Sequence, residues 1–135
     1  MKKITYIDAC ILIAAFKARG ESGKRALEIL DDNEREYASS PFLKLEVLPK
    51  PTYFKRSLEV KFYDRFFDNV SHWANDLDSI VELAHEKASG YGLAAMDSLH
   101  LASALSAGAE EFITGEKESK PIHRVQEIKI ICIRE

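Results

Sequence analysis

Apolar residues along this chain alternate between short β-rich runs and longer stretches in which they recur at helical spacing. A short β-branched or aromatic run predicts a strand, whereas recurrence at helical spacing predicts an amphipathic helix. The predicted strands are residues 3–7, 36–39, 111–114 and 128–133. The predicted helices are residues 11–20, 21–32, 41–48, 54–67, 77–91 and 94–106.

Turn and cap residues set several of these boundaries. Pro49 and Pro51 are expected to end the third helix, since proline lacks the backbone N–H that a helix interior needs. Asp76 is expected to cap the fifth helix, and Gly108 to close the last one. Gly90-Tyr91-Gly92 resembles part of a dinucleotide fingerprint, but it follows a helix rather than a strand, so it is interpreted as a turn between helices.

Two of the helices predict buried stripes. In the fourth helix the stripe is Leu58, Phe62, Tyr63, Phe66 and Phe67. In the fifth it is Leu77, Ile80, Val81, Ala84, Ala88 and Tyr91. The aromatic residues near the fourth helix, from Tyr53 to Phe66, are interpreted mainly as core, with a partner surface as the alternative.

Short strands separated by helices favour a parallel, doubly wound α/β fold, because parallel strands require crossover connections. No Gly/Ser-rich linker, low-complexity tract or internal repeat divides the sequence. Residues 1–135 are therefore expected to form a single domain.

Composition narrows the function classes only modestly. The net charge of −3 would ordinarily argue against nucleic acid, but a carboxylate site filled by a divalent cation inverts the local charge. The middle of the chain is basic and is interpreted as a solvated helix face rather than an RNA track: Lys44, Lys50, Lys55, Arg56, Lys61 and Arg65.

No apolar stretch is long enough to span a membrane, and the amino-terminal apolar run is broken by Asp8, so a cytoplasmic location is expected. Cys10 and Cys132 are expected to be buried free thiols.

Two acidic residues lie where the strands of such a sheet end. Asp8 directly follows the first strand, and Glu116 comes two residues after the strand that ends at Thr114. Ligand sites of doubly wound sheets lie at the carboxyl ends of the strands. Asp8 fits both a helix N-cap and a functional carboxylate, because aspartate serves well in either role.

Two further acids lie on predicted helices. Asp97 is near the start of a helix of small and apolar residues, where a buried carboxylate needs a partner or a metal ion. Glu46 on its own is interpreted as an exposed position beside Lys44. His100, one turn after Asp97, is interpreted as a buried histidine satisfied by hydrogen bonds, with a supporting contact to the carboxylate as the alternative. Ser98 and Thr114 are possible hydroxyl donors to carboxylates or phosphate.

Taken together, four segments resemble the signature blocks of PIN domains, and most closely those of VapC-type toxins of toxin–antitoxin systems. The segments are residues 6–13 (YIDACILI), 45–47 (LEV), 91–104 (YGLAAMDSLHLASA) and 112–116 (FITGE). The resemblance implies a PIN-like, Rossmann-like three-layer α/β/α fold with a short-stranded, mainly parallel sheet. It also matches Asp8, Glu46 and Asp97 to the family's acidic positions. Glu116 departs from the pattern, since aspartate is common there.

The function implied by the resemblance is an Mg²⁺- or Mn²⁺-dependent endoribonuclease that hydrolyses RNA phosphodiester bonds. Asp8 and Asp97 would hold the principal metal ion, and Glu46 and Glu116 would position the attacking water or a second ion. A cognate antitoxin and a homodimer are the expected protein partners. Two alternatives remain open: an inert PIN-like module that binds RNA or protein, and a metal-dependent phosphatase. The Asp-x-Asp motif of aspartyl-phosphate phosphatases is absent, because Cys10 occupies its second position.

Overall fold

In the computed structural model, which describes residues 2–134, five short strands and seven α-helices alternate along the chain. The strands are β1 (Lys3–Ile7), β2 (Arg35–Ser39), β3 (Val70–Trp73), β4 (Glu111–Thr114) and β5 (Lys129–Cys132). The helices are α1 (Ala9–Lys17), α2 (Gly20–Leu30), α3 (Pro41–Val47), α4 (Pro49–Tyr53), α5 (Ser57–Asp68), α6 (Leu77–Tyr91) and α7 (Ala95–Ser106). A 3₁₀ helix spans Pro121–Arg124.

The strands form one parallel sheet in the order β3-β2-β1-β4-β5. The central strand β1 pairs with β2 on one side and with β4 on the other, so that Tyr6 lies opposite both Ala38 and Phe112. The chain leaves β1 towards β2 and β3, and it leaves β4 in the opposite direction, towards β5. The switch point of the sheet therefore lies between β1 and β4.

Alternate residues of β1 enter two different cores, because side chains of a strand point to opposite faces. Ile7 packs with the α1, α3 and α5 side chains on one face, including Leu12, Leu43 and Tyr63. Tyr6 packs on the other face in a cluster that includes Leu101 of α7. Helices thus cover both faces of the parallel sheet, and the predicted PIN-like three-layer α/β/α fold is confirmed.

Several predicted boundaries are confirmed. β1 and β4 have the predicted bounds, and Asp76 accepts a hydrogen bond from the Ser79 amide at the start of α6. Gly108 follows α7 in the left-handed region at φ 77°, where glycine has no Cβ penalty. The amides of Gly108 and Ala109 then donate to the carbonyls of Leu105 and Ala104, which closes the helix.

Other expectations are wrong. Strand β3 was not predicted, and Pro49 begins the new helix α4, where its missing N–H costs nothing. The first helix ends at Lys17, with Ala18 rather than a glycine in the left-handed conformation. Leu58, Leu77 and Val81 are exposed instead of buried, since the core-facing stripes of α5 and α6 are narrower than their sequences suggest. Within residues 2–134, no helix is long and apolar enough to cross a bilayer.

Candidate active site

Asp8 lies at the carboxyl end of the central strand, buried between β1 and α1. Its side chain caps α1 by accepting a 3.4 Å hydrogen bond from the Ile11 amide. The other carboxylate oxygen accepts from Thr114 Oγ1 at 2.5 Å. Asp8 is thus both a helix cap and a candidate functional carboxylate, the two roles that its position allowed.

Burial raises the pKa of Asp8 to about 6, although the Thr114 hydroxyl, His100 and the Ile11 amide act in the opposite direction. The negative charge of Glu116 contributes a further increase. Asp8 is buried and has few hydrogen-bond donors, so the desolvation cost of its negative charge is only partly offset. This imbalance is typical of functional sites.

The loop after β4 brings Glu116 to the same edge of the sheet. The Glu116 amide donates to Thr114 Oγ1 at 3.0 Å, so the threonine hydroxyl links the backbone of this loop to the carboxylate of Asp8. The Glu116 carbonyl accepts from His123 Nε2 at 3.0 Å and from Cys132 Sγ at 3.2 Å. The loop is therefore held from two further directions.

Asp97 lies in the first turn of α7 and is half-buried. Burial raises the pKa of its carboxyl, the charges of Glu116 and Glu46 raise it further, and His100 and Lys120 oppose them. Asp97 is therefore close enough to Glu46 and Glu116 to be affected by their charges. Asp8 is affected in the same way by Glu116. Asp8 lies at the carboxyl end of β1, beside the switch point of the sheet, and Glu116 is the acid whose charge acts on both Asp8 and Asp97.

Glu46 projects from the short helix α3, and its carboxylate accepts a hydrogen bond from His100 Nε2 at 2.6 Å. The interpretation of Glu46 as merely exposed is thus incomplete, since its side chain is 36% exposed but anchored. His100 is buried and both of its ring nitrogens are hydrogen-bonded, as predicted. Its carboxylate partner is Glu46 of α3 rather than Asp97 of its own helix.

Two other expectations about this region are corrected. The Ser98 hydroxyl donates to the Ala95 carbonyl at 2.7 Å within its own helix, so it is not directed at a carboxylate. Cys10 and Cys132 are free thiols, but Cys10 is exposed, because the core-facing side of α1 is formed by its neighbours Ile11 and Leu12. Although the residue as a whole is exposed, partial desolvation of its thiol, followed by the charges of Asp8, Glu116, Glu46 and Asp97, raises the pKa of Cys10 to about 12.

Sequence reasoning missed two polar side chains that reach this region, Tyr6 and Ser40. The Tyr6 hydroxyl lies 2.7 Å from His100 Nδ1 and 2.8 Å from Ser40 Oγ. The available signals were a tyrosine two residues before Asp8 in an apolar strand, and the serine that caps α3. Neither signal identifies the hydrogen-bond partners, because Tyr6, Ser40 and His100 are far apart in sequence.

The five-stranded parallel sheet with helices on both faces defines a doubly wound α/β protein. This chain belongs to the PIN-domain family, whose model matches residues 5–125. The family resemblance of the sequence is thereby confirmed. No curated protein matches the chain.

Solved structures share the fold at low sequence identity. One is VapBC2 from Rickettsia felis bound to a DNA fragment from its promoter, with a TM-score of 0.69 and 17% identity over 94% of this chain and 96% of that one. Another is a toxin–antitoxin complex from Klebsiella pneumoniae, with a TM-score of 0.70 and 21% identity over 97% of this chain and 98% of that one. The likeness covers nearly the full length of each chain.

Proposed function

We propose that this chain is a Mg²⁺- or Mn²⁺-dependent endoribonuclease and the toxin of a type II, VapBC-like toxin–antitoxin system. The observation that carries the proposal is a buried Asp8 at the carboxyl end of the central strand of a PIN-domain sheet, with Glu116 acting electrostatically on both Asp8 and Asp97, and Glu46 on Asp97. PIN-domain membership supports nuclease activity, and the similarity to chains of toxin–antitoxin complexes supports the toxin role.

The donor set fits a hard divalent cation. Among residues 2–134, no group of three or more His, Cys, Asp or Glu side chains is arranged to hold a metal ion by itself. Mg²⁺ needs no such group, because it is usually held by one or two carboxylates, several waters and substrate phosphate. We propose Asp8 and Asp97 as that pair, since burial and neighbouring acids leave both with uncompensated charge.

Each acid has a distinct part in the proposed reaction. When bound, the cation would supply positive charge at the scissile phosphate and make the attacking water more acidic. Thr114 fixes the orientation of Asp8, and the same hydroxyl fixes the start of the loop that carries Glu116. Glu46 and Glu116 would orient the water or help to hold a second ion. Hydrolysis would leave a 5′-phosphate and a 3′-hydroxyl.

The proposed partners are RNA, a cognate antitoxin and a second copy of the chain. An antitoxin segment that presents arginine to the acidic site would inhibit it, because guanidinium groups bind carboxylates through paired, charge-assisted hydrogen bonds. The structural neighbours are themselves complexes of a toxin with its antitoxin, or bear the VapBC name.

The test is cleavage of RNA by the purified chain. We expect cleavage that requires Mg²⁺ or Mn²⁺, stops on chelation, and falls by about 100-fold or more in Asp97→Asn, because the amide removes charge from the metal site. Asp78→Asn is the matched control, since Asp78 lies at the same kind of position in the first turn of α6 but is exposed and outside the site. In a bacterial host, expression of the wild-type chain should arrest growth and Asp97→Asn should not.

Three outcomes would contradict the proposal in different ways. Full cleavage by Asp97→Asn would show that the site is elsewhere. Metal binding without cleavage of any RNA would favour an inert binding module. Release of phosphate from small esters, with RNA left intact, would favour a phosphatase.

A further inference from the structure

We propose that His100, Tyr6 and Ser40 form a hydrogen-bonded chain that positions the Glu46 carboxylate for the reaction. This inference rests on the proposed nuclease function and assigns positioning residues within the same site. None of the three side chains is proposed to touch RNA or metal. Their role would be exerted through Glu46.

The chain of contacts is continuous from the core to the site. Ser40 Oγ lies 2.8 Å from the Tyr6 hydroxyl, which lies 2.7 Å from His100 Nδ1. On the other side of the imidazole, Nε2 lies 2.6 Å from Glu46 Oε1. Ser40, Tyr6 and His100 are all buried, and the His100 side chain is only 3% exposed. Water therefore has little opportunity to replace these contacts.

The direction of each hydrogen bond follows from the Glu46 end. An ionised carboxylate only accepts, so a neutral imidazole must carry its proton on Nε2 and accept at Nδ1. The Tyr6 hydroxyl then donates to Nδ1, and its oxygen is left to accept from the Ser40 hydroxyl. Ser40 Oγ in turn accepts from the Leu43 amide at the start of α3, at 3.4 Å. One proton arrangement thus satisfies every group.

The conformation of the Glu46 side chain depends on the hydrogen bond from His100. Glu46 projects from α3, a helix of only seven residues, and among the described residues the imidazole is its hydrogen-bond donor. A glutamate on a short surface helix has several rotamers, and fixing one of them costs conformational entropy. A buried, directional donor selects one rotamer in advance. Ser40 caps the same helix. The hydrogen-bonded network of Ser40, Tyr6 and His100 therefore contacts α3 both at its N-cap and at the Glu46 side chain.

The same arrangement couples Glu46 to the rest of the site. His100 lies one turn after Asp97 on α7, and Tyr6 lies two residues before Asp8 on β1. Hydrogen bonds therefore connect Glu46 to α7, which carries Asp97, and to β1, which Asp8 directly follows. The Tyr6 ring is stacked on Phe112 of β4, with centroids 5.5 Å apart. This packing restricts the ring and therefore the position of its hydroxyl.

The decisive experiment compares two amides at position 100. Glutamine can place its amide nitrogen near the site of Nε2 and still donate to Glu46, whereas asparagine matches only the Nδ1 side and cannot reach Glu46. We expect His100→Asn to lower the kcat of metal-dependent RNA cleavage by about 10- to 100-fold with KM unchanged, the usual range for residues that orient metal-site carboxylates. His100→Gln keeps the donor to Glu46 but loses the acceptor for Tyr6, so it should lower kcat less than His100→Asn, by about as much as Tyr6→Phe.

Two further variants make the comparison specific. Tyr6→Phe keeps the stacked ring and removes only the hydroxyl, and it should lower kcat by about 10-fold without changing KM. The control is His72→Asn, because His72 Nε2 makes an equivalent 2.9 Å contact to Glu36 on neighbouring strands outside the site. It should leave cleavage unchanged.

A readout without catalysis separates this inference from the proposed function. Two-bond ¹H–¹⁵N NMR correlations of the wild-type chain should show His100 as the Nε2–H tautomer, with Nδ1 unprotonated. Protonation at Nδ1, or equal loss of kcat in His100→Gln and His100→Asn, would overturn the inference even if the wild-type chain cleaves RNA. Absence of cleavage by the wild-type chain, with the expected tautomer present, would overturn the proposed function alone.

Discussion

At the residue scale, Glu111 shows how a buried acid differs from the acids of the site. Glu111 is buried at the start of β4, at the opposite end of the strand from Thr114. Its Oε1 accepts from Thr5 Oγ1 and from Arg35 Nε, both at 2.7 Å. Burial raises the pKa of this carboxyl, but the Arg35 and Thr5 hydrogen bonds and the Arg35 charge outweigh that effect, and the net shift is downward.

The lowered pKa predicts an acid-sensitive contribution to stability. A carboxyl whose pKa is lower in the folded than in the unfolded chain stabilises the fold above its unfolded pKa of 4.5, and this contribution is lost as the pH falls through the folded pKa. Glu111→Gln should therefore be less stable than the wild type at pH 7, with the difference narrowing below about pH 4. Urea unfolding across this pH range measures the effect. Glu118→Gln, at an exposed loop position, is the control, and a constant difference for Glu111→Gln would contradict the prediction.

At the same scale, the sequence could place acids at the sheet edge but could not pair them. Asp8 and Glu116 were predictable because they follow strands, and strand ends of a parallel sheet converge. The contact between Glu46 and His100 was not, because it joins α3 to α7 across 54 residues. Asp97 and His100 share a helix face, so the alternative contact considered for His100 was with Asp97 rather than with Glu46. Local spacing cannot distinguish a partner on the same helix from one brought by the fold.

At the element scale, two helical glycines are predicted to respond oppositely to alanine. A Cβ on Gly90 of α6 would meet nothing within 4 Å, so Gly90→Ala should stabilise the protein by about 1 kcal/mol through helix propensity. A Cβ on Gly23 of α2 would lie 2.7 Å from the backbone carbon of Ala18, where α1 ends. Gly23→Ala should destabilise by about 1–3 kcal/mol, because backbone must move.

Denaturant unfolding of the two variants is the measurement, and each serves as the control for the other. Stabilisation by Gly23→Ala would contradict the close approach of α1 and α2. Destabilisation by Gly90→Ala would contradict the open surface of α6.

The elements themselves were largely predictable, and the failures have physical causes. β1 and β4 contain buried β-branched and aromatic residues and are followed by Asp8 and Gly115, so their bounds follow from the sequence pattern. β3 has four residues, of which only the first, Val70, is buried, so it is too short and too polar to show an alternating pattern. The α3–α4 junction was misjudged because proline is equally suited to ending one helix and beginning the next.

At the scale of the whole molecule, the segment from α3 to the start of α5 is rich in exposed large apolar side chains. Half of the large apolar side chains that are exposed among residues 2–134 lie between positions 45 and 58. They are Leu45, Tyr53, Phe54 and Leu58. The interpretation of the aromatic residues as core is therefore right for Tyr63 and Phe66 but wrong for Tyr53 and Phe54. The Tyr53 and Phe54 rings contact each other, with centroids 5.0 Å apart, and exposed apolar patches mark interaction surfaces.

We predict that a second copy of the chain covers this surface. Sedimentation or light scattering should give the mass of a dimer at micromolar concentration, and Leu58→Glu should give a monomer, because it places a charge inside the apolar contact. Val81→Glu is the matched control, since Val81 is also exposed, at 53% against 75% for Leu58, but lies on the outer surface of α6. Dissociation by Val81→Glu alone would move the interface to α6. A wild-type chain that is monomeric at every concentration would leave the α3–α5 surface to a different partner and contradict the homodimer.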